Sequence, residues 1–227
     1  MKIRLGVIGE EDNLNIFQEV IEEYNDYEIS TFIDADGTHT LNIIDNHQQE
    51  FDSWLVFDQI NYLHIKNWGK AQKPVYYIPY RGASFYKTLC TAIYQGFNID
   101  ELSIDTIPYY DITRALDDMQ INYDIINHLS DEHGALSLNG YAAFHRELFK
   151  KDISKAAITR SCYVKNLLEL EGIPAFCIMP VRVTVRNILN VILTQFRIKK
   201  LWEGQIAVQV FSFNLLGDKD NFYSVDD

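Results

Sequence analysis

Short apolar runs alternate with amphipathic segments along the first 97 residues. The runs are rich in β-branched and aromatic side chains, which is typical of buried strands. They cover residues 2–8, 27–33, 54–57 and 74–78. The segments that follow them place apolar side chains three and four residues apart, and this spacing predicts helices. The helices are expected near residues 14–24, 40–51, 62–68 and 84–94.

The same alternation returns in residues 134–182. The expected elements there are strands at residues 156–159 and 175–179 and helices at residues 140–149 and 163–171. Residues 98–133 lack a regular pattern apart from a short helical segment at residues 112–119. We therefore interpret residues 98–133 as an irregular connection.

Strands that alternate with helices form right-handed crossovers, which produce parallel sheets covered by helices. The sequence therefore predicts an α/β protein with two doubly wound blocks and mainly parallel sheets, residues 1–97 and 134–182. A flavodoxin-like and a periplasmic-binding-like arrangement both agree with this pattern.

A longer amphipathic segment, residues 183–203, predicts a linker helix after the second block. Residues 204–227 contain one more apolar run, residues 205–213, followed by an acidic tail. The run predicts a strand that either joins an earlier sheet or begins a further domain, and we favour the further domain.

The formal net charge of −12 lies entirely in the first 60 residues, which hold 14 acidic and 2 basic side chains. The rest of the chain holds 18 of each kind. An acidic surface repels phosphate backbones, so we expect no direct nucleic-acid binding by this chain.

Features of membrane and secreted proteins are missing from the sequence. No apolar run reaches the roughly 18 residues of a membrane span, and no signal-peptide pattern precedes Gly6. The three cysteines, Cys90, Cys162 and Cys177, form no Cys-x-x-Cys pair, which predicts buried, unpaired thiols. We therefore expect a cytoplasmic protein with no membrane partner.

Motifs of common cofactor and catalytic sites are also missing from the sequence. There is no Gly-x-Gly-x-x-Gly or Walker motif, and no Gly-x-Ser-x-Gly elbow. The six histidines have no metal-ligand spacing. The sequence accordingly predicts no cofactor, no metal and no catalytic residue.

Three predicted strands end in an arginine beside a predicted helix start. Parallel strands bind ligands at their carboxyl ends, helix N-termini favour anions, and arginine adds a bidentate donor. Ser84, Ser161 and Thr184 are suitable N-caps for these helices. The candidate ligand-binding residues are Tyr80, Arg81, Ser84, Thr159, Arg160, Ser161, Arg182 and Thr184. Alternatively, the arginines are surface residues that balance the acidic first quarter.

A group of strand and strand-end segments follows a known family pattern, namely residues 54–57, 73–80, 152–159, 170–174 and Pro180. In these segments the chain resembles the N-terminal sensory region of multidomain bacterial transcriptional regulators, two-lobed modules such as the sensory domain of propionate-catabolism activators. The resemblance implies effector binding by this region and a DNA-binding domain elsewhere in such regulators. The run 205–213, followed by Asp218 and Asp220, also resembles the opening strand of GGDEF-like or nucleotide-cyclase-like domains.

Three functions agree with these features. The first is a sensor that binds a small anionic metabolite at Arg81, Arg160 and Arg182 without catalysis, with helix 184–203 transmitting the signal or joining two copies in a homodimer. The second is a cyclase-like or cyclohydrolase-like enzyme that uses metal at Asp218 and Asp220. The third is a flavodoxin-like electron carrier.

Overall fold

The structure is a computed structural model and describes residues 2–57, 59–80, 82–130 and 136–203. The first half contains β1 (Ile3–Gly9), α1 (Glu11–Ile21), β2 (Tyr27–Ile33), α2 (Thr40–His47), β3 (Ser53–Val56), α3 (Gln59–Trp68), β4 (Val75–Tyr77) and α4 (Ala83–Tyr94). Its four strands form a parallel sheet in the order β2-β1-β3-β4. Strand β3 is buried along its whole length, as its uninterrupted apolar sequence predicts.

The second half repeats this arrangement. It contains β5 (Leu102–Asp105), α5 (Tyr109–Asp118), β6 (Asn127–Leu129), α6 (Leu138–Lys150), β7 (Ala156–Thr159), α7 (Cys162–Leu170), β8 (Ala175–Cys177) and α8 (Arg182–Glu203). Its strands form a second parallel sheet in the order β6-β5-β7-β8, the same order as in the first half. The predicted pair of doubly wound α/β blocks is thereby confirmed.

The interpretation of residues 98–133 as an irregular connection is wrong. These residues contain β5, α5 and β6, and β5 lies inside the second sheet. The apolar pattern was interrupted because β5 buries two polar side chains, Ser103 and Asp105. Strand β6 is only three residues long and half-buried, so it lacks the apolar run of a central strand.

The last helix of each half packs on the sheet of the other half. Helix α4 contacts β8, and α8 contacts β4 and α1. The ring of Phe97, just after α4, packs edge-on against Phe176 of β8, with centroids 5.8 Å apart. One apolar core therefore runs through both sheets, and it includes Leu5 of the first half and Ile104 of the second.

Helix α8 is held on the first half by an apolar stripe and by ion pairs at its sides. Its buried side chains are Val185, Leu189 and Ile192. Its ion pairs are Arg182–Glu19, Arg186–Glu23 and Arg197–Asp26. The helix predicted as a linker thus packs against the protein over most of its length. The predicted strand 205–213 lies outside the described residues.

Two further findings concern the cysteines and the length of the helices. The structure joins Cys162 and Cys177 in a disulfide, so the expectation of unpaired thiols is wrong for these two residues. They meet because β7 and β8 are neighbours, with Thr159 opposite Cys177. Over the described ranges, no helix is both long and apolar enough to cross a membrane.

Candidate ligand-binding cleft

The carboxyl ends of the two sheets line a common cleft of about 690 Å³. This volume falls in the usual range of small-molecule sites. Strand ends of the first half contribute Gly9, Asp34 and Phe57, and strand ends of the second half contribute Asp105 and Thr159. Parallel strands bring these residues together because all of their carboxyl ends lie at one edge of each sheet.

Half of the sequence-predicted binding residues line this cleft. They are Tyr80, Thr159, Arg160 and Ser161. Arg81 lies outside the described residues. The strand ends of β4 and β7 therefore meet at the site, although they are far apart in the sequence.

Arg160 is half-buried in the cleft and lacks an ion pair with any described residue. Its guanidinium carbon lies 5.9 Å from the centroid of the Tyr80 ring. Its Nε is buried and meets no hydrogen-bond acceptor within the described ranges. A buried donor without an acceptor is costly, so this N–H is available to an anionic group in the cleft.

The other three described candidates lie outside the cleft lining. Arg182 begins α8 and donates a hydrogen bond of 2.6 Å to Glu19, so for this arginine the charge-balancing alternative is correct. Thr184 lies in the first turn of α8 rather than at its N-cap. Ser84 is fully buried inside α4, whose N-cap is Gly82.

Ser161 is the N-cap of α7, as predicted, but the helix terminus already has an anionic partner. The Ser161 hydroxyl accepts a hydrogen bond from the Val164 N–H. Glu10 of the first half accepts hydrogen bonds from the Ser161 hydroxyl, at 3.1 Å, and from the Cys162 N–H, at 2.9 Å. A carboxylate at a helix N-terminus is stabilised by the helix dipole. This contact joins the two halves beside Arg160.

Two acceptors in the cleft were missed by sequence reasoning. Asn13 is 2% exposed and donates through Nδ2 to the Tyr80 hydroxyl, at 3.2 Å. Asp34 is 5% exposed and accepts through Oδ2 from the Thr40 hydroxyl. The Oδ1 atom of each residue is buried and has no donor among the described residues. Neither Asn13 nor Asp34 belongs to a sequence motif. The only sign in the sequence that they could bind a ligand was their position shortly after the ends of β1 and β2.

The loop after β2 also places Asp36 at the cleft. Both the Thr38 hydroxyl and the Thr38 N–H donate to its Oδ1, at 2.7 and 3.0 Å. These hydrogen bonds hold the pKa of the Asp36 carboxyl below its ordinary value. Both aspartates thus take donors from the residues that follow β2, but Asp34 is buried and keeps an Oδ1 without a described donor, whereas Asp36 is exposed.

A serine, a histidine and an aspartate are connected behind the cleft. The Ser103 hydroxyl lies 2.7 Å from His145 Nδ1, and His145 Nε2 lies 3.1 Å from Asp105 Oδ2. Ser103 is buried and, unlike Asn13 and Asp34, is not among the residues that line the cleft. The group instead satisfies buried polar atoms and fixes α6 on β5.

The end of β5 carries an unusual backbone conformation. Thr106 has a φ of 57°, a region that β-branched residues rarely adopt, and it lines the cleft. Its N–H donates to the Leu129 carbonyl, and its hydroxyl donates to Asp105. Such strain is found preferentially at functional sites.

One group of potential metal ligands occurs in the part of the chain that the structure describes. Glu10, Cys162 and Cys177 place one ligand atom each within 4.8 Å of one another. The two sulfurs are joined in the disulfide and the carboxylate caps α7. These ligand atoms are therefore engaged in contacts within the protein.

Comparison with solved structures identifies related folds. An NtrC-family transcriptional regulator from Clostridium acetobutylicum matches 88% of this chain and 99% of its own, with a TM-score of 0.64 and 14% identity. The transcription regulator CcpA of Lactococcus lactis matches 76% of this chain and 74% of its own, with a TM-score of 0.43 and 12% identity. The predicted resemblance to a transcriptional regulator is confirmed at the level of the fold. No protein-family model and no curated sequence matches the chain.

Proposed function

We propose that this chain is the ligand-sensing module of a cytoplasmic transcriptional regulator and binds a small metabolite in the cleft between its two halves. The observation that carries this proposal is Arg160, a half-buried arginine with an unpartnered Nε at the junction of both sheets. A guanidinium in this setting recognises a negatively charged group. The likeness in fold to an NtrC-family regulator supports the regulatory role.

Ligand binding would change the position of the two halves relative to each other. A ligand that touches both strand edges favours the arrangement in which the edges are close. Helix α8 starts at the end of the second half and packs on α1 of the first. It therefore changes its environment whenever the two halves move, and it is suited to transmit that movement.

Thermal unfolding in the presence of carboxylates, amino acids, sugar phosphates and nucleotides tests the proposal. A ligand at about 100 times its dissociation constant stabilises the folded state by roughly 2.7 kcal/mol. We expect at least one compound to raise the unfolding temperature of the wild type and to lose this effect in Arg160→Met. Removal of Arg160 changes the free energy of unfolding itself by less than about 1 kcal/mol, because only its contact with Tyr80 is lost.

Arg182→Met is the matched control. It removes the same charge from a strand end, but Arg182 pairs with Glu19 away from the cleft. We expect Arg182→Met to keep the full ligand-induced shift. If no compound stabilises the wild type, or if both variants lose the shift equally, the proposal is wrong.

We also propose that two copies associate through the outer side of α8. Its exposed apolar side chains include Val191, Ile198, Leu201 and Trp202, opposite the buried stripe. Replacing Ile198 and Leu201 with glutamate is expected to convert a dimer into a monomer, as measured by light scattering coupled to size exclusion. A wild type that is monomeric at all concentrations contradicts this expectation.

No specific feature of the described residues favours an enzyme. The metal ligands on which that alternative depended, Asp218 and Asp220, lie outside the described residues. The electron-carrier alternative is likewise not favoured, because the turn after β1 leads into Glu10, Glu11 and Asp12 at the start of α1. Three acidic side chains at that turn disfavour a flavin phosphate.

A further inference from the structure

We propose that the ligand of the cleft is a small zwitterion of the amino-acid type. Its ammonium group would be held by Asn13 and Asp34 and its carboxylate by Arg160. This inference rests on the proposed function and specifies the chemistry of the same site.

The acceptor side of the site is built at the end of β1. The Asp34 N–H donates to the Gly9 carbonyl at 3.0 Å, and Asn13 lies in the first turn of α1, which follows directly. Asn13 keeps its hydrogen bond to Tyr80. Asp34 Oδ2 accepts hydrogen bonds from the His39 N–H and the Thr40 hydroxyl. The Oδ1 atom of Asn13 and that of Asp34 have no donor among the described residues. Two buried acceptors, one of them on a carboxylate, require a partner with several N–H groups and a positive charge.

The donor side is built at the end of β7. Arg160 Nε is a buried donor without an acceptor in the described part of the chain. Tyr80 connects the two sides, because its hydroxyl contacts Asn13 and its ring faces Arg160. The acceptors and the donor therefore lie around the same aromatic side chain and line the same cleft.

The charges around the cleft disfavour a dianion and an uncharged ligand. Four carboxylates line it, Glu10, Asp34, Asp36 and Asp105, and Arg160 is the one arginine or lysine among its described lining residues. A dianion would face this acidic excess, whereas an uncharged sugar would leave the Arg160 charge uncompensated. A ligand with one positive and one negative group would match both the acceptors, Asn13 and Asp34, and the donor, Arg160.

The other residues that line the cleft would accommodate the side chain of a bound amino acid. Phe57, Ile60, Leu138 and Tyr141 contribute apolar surface to the same cleft. Burial of apolar groups strengthens binding by about 25 cal/mol per Å². Large aliphatic and aromatic amino acids are therefore expected to bind more tightly than glycine.

Calorimetric titration of the wild type with each of the twenty common L-amino acids tests the inference. Any amino acid that binds is then compared with its desamino acid, for example L-phenylalanine with 3-phenylpropionate. We expect at least one amino acid to bind saturably and its desamino acid to bind about tenfold or more weakly. Asp34→Asn is expected to cause a similar loss.

Asp45→Asn provides the matched control because it removes the same charge from α2, outside the residues that line the cleft. Its carboxylate is exposed and accepts a hydrogen bond from Gln48, so this variant should bind amino acids with an affinity within about threefold of wild type. Circular dichroism and unfolding temperature establish that both variants are folded.

The outcomes separate the inference from the proposed function. Binding of dicarboxylates or sugar acids that depends on Arg160 but not on Asp34 overturns the zwitterion and leaves the sensor intact. Equal losses in Asp34→Asn and Asp45→Asn also overturn it, since the effect would then be general electrostatics. If none of the twenty amino acids binds, the inference is wrong, and the wider ligand panel decides the proposed function.

Discussion

At the scale of single residues, the two strand-end arginines that the structure describes differ in their surroundings rather than in their sequence context. Arg160 and Arg182 both follow short apolar strands. Arg182 meets Glu19 and is neutralised, whereas Arg160 faces the cleft without a described acidic partner. The sequence predicted a binding role for both arginines because the end of a parallel strand is a frequent ligand site, and of the two only Arg160 lines the cleft. The sequence could not show that Arg182 has an acidic partner and Arg160 has none among the described residues, because Glu19 is 163 residues from Arg182.

The glycines of β1 have a packing role that the sequence did not reveal. A Cβ at Gly6 would lie 2.4 Å from Cζ3 of Trp54, and a Cβ at Gly9 would lie 2.4 Å from Cδ2 of Phe57. Trp54 is fully buried, so its ring has no room to move. These glycines therefore allow aromatic side chains to pack directly on the central strand.

We predict that Gly6→Ala lowers the free energy of unfolding by about 1–3 kcal/mol, the usual cost of overpacking a core. Gly140→Ala is the control, because it lies in α6 and its new methyl would meet Leu136 at an ordinary 3.5 Å. Alanine in a helix is favoured over glycine by about 0.5–1 kcal/mol, so this variant should be stabilised. Urea unfolding measures both changes, and an unaltered Gly6→Ala protein contradicts the packing role.

At the scale of elements, helices and strands with a regular apolar pattern were predicted well, and those that depend on buried polar groups were not. The all-apolar run of β3 was recognised at once. Strand β5 was missed because its Ser103 and Asp105 are satisfied by His145, which lies 40 or more residues away. The sequence pattern predicts that polar residues such as Ser103 and Asp105 are exposed. Their hydrogen bonds to His145 allow them to be buried.

Helix α8 allows its apolar and charged contacts to be compared directly. Leu189 is fully buried against the first half, whereas Arg186 and Glu23 form an exposed pair beside it. We predict that Leu189→Ala lowers the free energy of unfolding by about 2–5 kcal/mol, as expected for a core cavity. Arg186→Ala should cost much less than Leu189→Ala, because exposed ion pairs contribute little to stability.

Denaturant unfolding at low and high salt measures both effects, and only the effect of Arg186→Ala should fade with salt. Hydrogen bonding to Arg186 holds the pKa of Glu23 below its ordinary value of 4.5. The contribution of this pair is therefore complete above that value and is lost as the pH falls through the folded-state pKa. Equal costs for the two variants would show that the ion pairs, rather than the apolar stripe, hold α8.

At the scale of the whole molecule, the exchange of the final helices makes the two halves one folding unit. Helix α4 lies on the second sheet, α8 lies on the first, and a common core connects them. Glu10 adds a polar link at the base of the cleft through the N-terminus of α7. The sequence predicted two similar blocks, but it held no signal for this exchange, which depends on contacts between distant parts of the chain.

Hydrogen–deuterium exchange by mass spectrometry tests the central claim, that a small molecule binds between the facing strand ends. The wild type is compared with and without mixtures drawn from the compound panel, and Arg160→Met is measured in parallel. We predict that one mixture slows exchange in residues 8–13 and 157–164 together, and that Arg160→Met loses both effects. Slower exchange in only one of these segments, or in neither with any mixture, would contradict ligand binding between the two halves.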